Sequence, residues 1–222
     1  SQVVPFGRSY DEYVEMFSLD RNDLSKPILS VADGPASFNA EGTAKGYRIQ
    51  SVDPLYEFSG EEIRDRFYAV RDDIIQQIKD SPEDWVWRYH RSPDQLKERR
   101  SQVTERFYTD YADGKRQGRY TTGELPSLPY KSGAYDLGLC SHFLFLYSEQ
   151  LSTTFHIAAV TEMLRVCQEV RIFPLLSLTL ERSPHLDPVI THLKKAGYQC
   201  QLKTVNYELQ RGGNQMLAIA QR

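Results

Sequence analysis

Cysteine is scarce in this chain. Cys140, Cys167 and Cys200 are odd in number, far apart and without a Cys-x-x-Cys pair. That excludes a disulfide framework, leaves no zinc-ligand spacing, and points to a reducing cytoplasm. An excess of one charge sign is also missing: 27 Lys and Arg face 30 Asp and Glu, a net charge of −3. Nothing global therefore draws the chain toward nucleic acid or an anionic membrane. No uninterrupted apolar run approaches the roughly 20 residues of a membrane-spanning helix, and Ser1 to Arg8 lacks the apolar core of a secretion signal. Internal repeats and low-complexity linkers are absent too. The 222 residues are accordingly read as one domain, 1–222.

Apolar residues make up 40% and charged residues 26%, a globular profile. Ser9 and Glu12 form a capping-box pattern ahead of Tyr10, Tyr13, Val14 and Phe17, which share one helix face. Ile28 to Ala32 reads as a buried strand. A turn follows at Asp33-Gly34-Pro35-Ala36-Ser37, then a helix from Phe38 to Lys45 stopped by Gly46, then a strand from Tyr47 to Val52 ending at Asp53-Pro54. Ser59 and Glu62 open a second capped helix, with Ile63, Phe67, Val70, Ile74 and Ile78 at steps of four and three. A helical insertion is expected over 81–119. Beyond it come a strand at Tyr135 to Cys140, a helix from Ser152 to Gln168, and a long strand from Glu169 to Leu180. A helix opening at Ser183-Pro184 and a hairpin around Arg211-Gly212-Gly213-Asn214 complete the chain. Strand–helix alternation of this kind predicts an α/β, mostly parallel sheet with helices on both faces and a C-terminal antiparallel hairpin.

Open parallel sheets bind ligands beyond the carboxyl ends of their strands. Gly34 after the first strand allows close backbone approach. Asp53 after the second, about twenty residues on, suits the vicinal hydroxyls of a ribose. Asp-Gly-Pro and Asp-Pro also occur in plain turns, so it is their order at successive strand ends that points to a nucleoside cofactor. A dinucleotide site would need Gly-x-Gly-x-x-Gly in the first turn, and only Gly34 is present.

The stretch Ile28-Leu29-Ser30-Val31-Ala32-Asp33-Gly34-Pro35-Ala36-Ser37-Phe38, followed by Ser51-Val52-Asp53-Pro54, resembles the first two motifs of class I S-adenosylmethionine-dependent methyltransferases. Tyr135 to His142 is similar to their fourth-strand motif, and Gly123 to Tyr130 to the third-strand region near the adenine. The resemblance implies a Rossmann-like seven-stranded sheet and S-adenosylmethionine as cofactor; no metal is expected. It places Gly34, Ala36 and Ser37 under the methionine part, Asp53 on the ribose, and Pro54 and Leu55 beside the adenine. Gly123 and Glu124 would lie at the adenine edge, and Cys140 and Ser141 beside the sulfonium. Tyr10 and Tyr13, in an N-terminal helical cover over 1–26, would fold over the cofactor. The sequence departs from the family pattern at Ser30, where an acid is usual, and at Ala32 and Ala36, where Gly is usual. Asp33 is then the candidate for the missing carboxylate.

Methyl transfer from a sulfonium depends on positioning more than on acid–base groups, because the leaving group departs neutral. His142 stands beyond the fourth strand as the candidate base for an acceptor that carries a proton, and equally reads as a packed histidine. No Asn-Pro-Pro-Tyr follows that strand, so amino methylation of the adenine or glutamine kind is not supported. From Arg88 to Arg119, nine Lys or Arg outnumber five Asp or Glu, with aromatics between them. RNA is therefore a minor alternative partner, and a lid or substrate wall the main reading. The chain is expected to be a methyltransferase acting on a small-molecule acceptor, without membrane contact. The alternatives are a cofactor-binding regulatory protein without turnover and an RNA methyltransferase; acceptor and oligomeric state stay open.

Overall fold

Strand β1 (Ile28–Val31) is buried on both faces, as a four-residue run of Ile, Leu, Ser and Val requires in a sheet covered twice. It is an interior strand, third in a seven-stranded sheet of order β3-β2-β1-β4-β5-β7-β6. In the computed structural model, which describes residues 6–221, the other strands are β2 (Ile49–Val52), β3 (Tyr120–Thr121), β4 (Tyr135–Ser141), β5 (Cys167–Phe173), β6 (Tyr198–Thr204) and β7 (Gln215–Gln221). Strands β1 to β5 run parallel, with Ile28 level with Ile49 on one side and Leu137 on the other. Strand β7 is antiparallel to both β5 and β6. The chain thus leaves β1 toward β2 and β3, then returns to its other side at β4. That reversal opens a crevice at the carboxyl end of β1.

Period-two alternation divides the core between the faces. Leu29 and Val31 pack with Val160, Met163 and Val189, from α6 (Thr153–Val166) and α7 (Leu186–Lys195). Ile28 packs with Tyr13, Phe17 and Phe38, from α1 (Tyr10–Phe17) and α3 (Phe38–Ala44). Both expected capping boxes form, Ser9 with Glu12 at α1 and Ser59 with Glu62 at α4 (Gly60–Asp80). Asp20 with Asp23 makes a further one at α2 (Arg21–Ser25), a short helix not anticipated from the periodicity. Gly46 follows α3 at φ 88°, the left-handed stop that its sequence position suggested.

Several boundaries differ from expectation, each for a local reason. The long strand expected over 169–180 ends at Phe173, because Pro174 has no N–H for the ladder. Residues 174–185 turn back instead, Leu178 N donating to Leu146 O and Ser183 N to Leu175 O. The following helix begins at Leu186 with His185 as its N-cap, so Pro184 precedes it. The C-terminal pair is joined by a wide connection, not a tight hairpin turn. Strand β6 stops at Thr204, and Tyr207 and Leu209 tuck into the α1 side of the core. The expected insertion holds one long helix, α5 (Pro93–Arg116), antiparallel to α4. Arg64 pairs with Glu105 near one end and Lys79 with Asp94 near the other. Residues 1–5 of the expected N-terminal cover lie outside the described residues. Among the described residues no helix is long and apolar enough to cross a membrane.

Candidate functional site

A cavity of about 260 Å³ occupies the crevice at the strand ends. Ala32, Asp33 and Gly34 enter it after β1, Asp53 to Leu55 after β2, and Ser141 and His142 at the end of β4. The backbone is left-handed at Ala32 (φ 56°) and Gly34 (φ 54°). A Cβ built on Gly34 would meet nothing within 4 Å, so this glycine serves the turn and leaves the space beside it open. Ala32, one of the departures from the family pattern, carries its methyl group in a conformation that favours glycine.

Asp53 holds the two turns together. Its Oδ2 accepts from Gly34 N at 2.9 Å and its Oδ1 from Leu55 N at 2.7 Å. A carboxylate offers about four acceptor positions, so roughly two remain at the cavity wall. Burial pushes this carboxyl up to about 6, against those two backbone hydrogen bonds. Asp33 also lines the cavity, but its oxygens point into the protein. Ser51 Oγ donates to Oδ2 at 2.8 Å, and Tyr56 Oη lies 2.9 Å from Oδ1 and 2.8 Å from Gly34 O. Burial first, then the neighbouring Asp53, push Asp33 up to about 7. Through Ser51 and Tyr56 it braces the turn from beneath.

The other expected residues divide clearly. Tyr13 lines the cavity, stacked on Phe38 with centroids 4.2 Å apart, and its hydroxyl accepts from Ser30 Oγ at 3.3 Å. Pro54, Leu55, Ser141 and His142 line it as well. Tyr10 does not: it stacks on Tyr47, ahead of β2 and away from the carboxyl ends. Ala36 and Ser37 are buried beneath Phe6-Gly7-Arg8, with Ser37 N donating to Arg8 O at 3.1 Å. A Cβ on Gly7 would sit 2.2 Å from Pro35 O, so only glycine lets this segment lie against the turn. Cys140 is fully buried in the core, its thiol pushed up to about 12 by burial. Gly123 and Glu124 stand apart from the cavity. Strand β3 ends at Thr121, Glu124 is exposed, and a Cβ on Gly123 would press on Val52 and Pro129 at 2.9 and 3.0 Å. Pro126 and Pro129 lack ladder donors, which is why the third strand lies ahead of this stretch.

Sequence reading missed Phe6, Arg8, Pro35, Glu57 and Phe58, all of which line the cavity. The available signal was their position directly ahead of the Ser9 and Ser59 caps or within the turns themselves. His142 Nδ1 lies 2.8 Å from Ser141 Oγ. Burial, then Arg8 and Arg100, hold its imidazole well below the usual histidine range, so it is neutral. The aromatics of the insertion face inward. Phe107 and Tyr111 pack with Tyr56 and Tyr120, and Trp85 and Trp87 pack against the α1 side of the core.

No family model matches the chain. Two solved structures share its fold. Magnesium protoporphyrin IX methyltransferase from Synechocystis PCC 6803, with bound SAM, aligns at TM-score 0.50 and 12% identity, covering 96% of this chain and 78% of that one. The PH0226 protein from Pyrococcus horikoshii OT3 aligns at TM-score 0.51 and 8% identity, over 96% and 91%. The fold is therefore that of class I S-adenosylmethionine-dependent methyltransferases. The uncharacterised protein MJ0045 of Methanocaldococcus jannaschii is 35% identical over 218 residues, 98% of this chain and 96% of its own length. Likeness of that extent spans the cavity, both helices of the crossover and the terminal strands, and the chain belongs to the family of that protein.

Proposed function

We propose that the cavity binds S-adenosylmethionine and that the chain is a methyltransferase for a small-molecule acceptor. The observation that carries this is the Asp53 carboxylate, fixed by Gly34 N and Leu55 N with acceptor positions left at the cavity wall. Two vicinal hydroxyls are the donors that such a pre-oriented carboxylate suits. The cavity fits the rest of the cofactor. Leu55 and Phe58 supply apolar wall for a base, and Gly34 leaves backbone accessible to the amino-acid end. The bound cofactor supplies a methyl group on a sulfonium, which leaves a neutral thioether behind as the acceptor's lone pair forms the new bond.

The chain's own residues position and desolvate. Tyr13, held by Phe38 and Ser30, closes the α1 side, and Phe6 to Arg8 seal the turn from water. In this proposal Ser141 lies beside the reacting centre. His142, neutral, takes the proton of an acceptor that carries one. Tyr10, Ala36, Ser37 and Cys140 act by packing, and Gly123 and Glu124 take no part. Calorimetry with S-adenosylmethionine and its demethylated product tests the cofactor reading: wild type binds and Asp53→Ala binds far more weakly. Absence of binding in wild type rejects it. Transfer of a labelled methyl group into a small-molecule fraction separates an enzyme from a cofactor-binding regulator.

A further inference from the structure

A second cavity, about 160 Å³, adjoins the first and shares Phe6, Arg8 and His142 with it. Its remaining wall is mainly apolar, with Ile74 and Ile78 from α4, Trp85 from the crossover, and Leu96 at the start of α5. Two cations stand in this otherwise greasy lining. Arg100 is 1% exposed; its Nη1 donates to Glu12 Oε2 at 2.7 Å, and its Nη2 has no hydrogen-bond partner among the described residues. Arg8 Nη1 donates to Phe6 O at 2.5 Å, while its Nε is sealed from solvent and likewise without a partner among the described residues.

The charges do not balance. Glu12 is the carboxylate against Arg100, and it is already saturated by Arg100, His90, Tyr207 and the Ser9 cap. His90 and His142 are both held below the usual histidine range, chiefly by burial, so neither adds a charge at neutral pH. At the second cavity, whose lining holds no carboxylate, two guanidiniums therefore face Glu12 alone, and a buried cation without a counter-charge is costly. Planar guanidinium donors match a carboxylate best.

We infer that this second cavity is the acceptor site, and that the acceptor joins an apolar, ring-sized body to a carboxylate held by Arg8 and Arg100. This rests on the methyltransferase reading of the first cavity. The apolar body lies among Trp85, Ile74, Ile78 and Leu96, and the carboxylate supplies the missing negative charge at the wall common to both cavities. The same anion has one other source, the amino-acid carboxylate of the cofactor itself, and the test separates the two.

Binding of S-adenosylhomocysteine to wild type is measured first, by calorimetry; it judges the cofactor reading by itself. Then 3-phenylpropionate and its neutral counterpart 3-phenylpropanamide are titrated with and without that nucleoside. The acid is expected to bind at least about tenfold more tightly than the amide, because only the acid gains charge-assisted hydrogen bonds. Arg8→Gln removes this preference, Arg8→Lys, which keeps the charge, retains part of it, and Trp85→Ala weakens both probes alike. Equal binding of acid and amide to wild type, or binding of neither, overturns the proposal. So does a loss of nucleoside affinity in Arg8→Gln with the acid's preference intact, which assigns the anion site to the cofactor. Acid-selective binding without nucleoside binding upholds the anion site while rejecting the cofactor reading.

Discussion

Asp33 and Asp53 lie at one turn but have different work. Asp53 has about two acceptor positions left at the cavity, so truncation to Ala removes bonds to ligand. Loss of two charge-assisted hydrogen bonds predicts an affinity drop on the order of 2–4 kcal/mol, read by calorimetry with S-adenosylhomocysteine. The ionised form is the one that accepts from hydroxyls, and its carboxyl is raised to about 6. Affinity should therefore be level above about pH 7 and fall toward tenfold per unit once the pH drops below the Asp53 value. Asp53→Asn should flatten that profile. Asp33 predicts a stability effect instead. Its folded value of about 7 lies above the 3.8 of an unperturbed aspartate. The folded state thus holds the proton more tightly, and the Asp33 contribution is complete below about 3.8 and lost as pH rises toward 7. Three units correspond to roughly 4 kcal/mol. In the ligand-free protein, Asp33→Asn should raise the melting temperature relative to wild type by more at pH 8 than at pH 5. An unchanged difference across that range would contradict the buried position of its charge.

At the scale of elements, the N-terminal segment is held by two devices. Gly7 allows Phe6 to Arg8 to lie on the turn after β1, since a Cβ there would meet Pro35 O at 2.2 Å. Gly7→Ala should lift this segment and weaken cofactor binding, with little change in the unfolding midpoint of the ligand-free protein. Glu12 ties α1 to α5 and to the β6–β7 connection through Arg100, His90 and Tyr207. Burial works against its charge, but Arg100 and His90 outweigh this and hold the carboxyl well below its usual range. Glu12→Gln strands the Arg100 cation in the interior and should cost about 3–5 kcal/mol, measured by urea unfolding. Sequence periodicity could show that α1 is a capped amphipathic helix. It could not show that Glu12, which caps it, also neutralises a residue 88 positions on.

For the whole molecule, ligand and fold are linked by mass action. If the cavity binds S-adenosylhomocysteine only when folded, a ligand concentration of 100 times Kd should add about 2.7 kcal/mol to stability. Asp53→Ala should lose that shift at the same ligand concentration, which thermal melts detect. The seven strands meet in one continuous sheet, with the cavity over the reversal between β2 and β4.

The mostly parallel sheet, its antiparallel C-terminal pair and the place of the crevice were legible in the sequence. Alternation, caps and turn residues are local signals, and a parallel sheet built from such units reverses at a definite strand. Asp53 was legible for the same reason, since it follows directly on a buried strand. What only the tertiary structure decided is which neighbours share its cavity. Tyr10 and Tyr13 are three positions apart on one helix, yet only Tyr13 reaches the strand ends, because α1 lies across α3 at a particular height. Phe6 and Arg8 enter the cavity because a glycine between them lets backbone touch backbone. Arg100 faces Glu12 through long-range packing of α5 against α1. Such contacts depend on how helices settle on a sheet, and no short-range pattern in the chain encodes that.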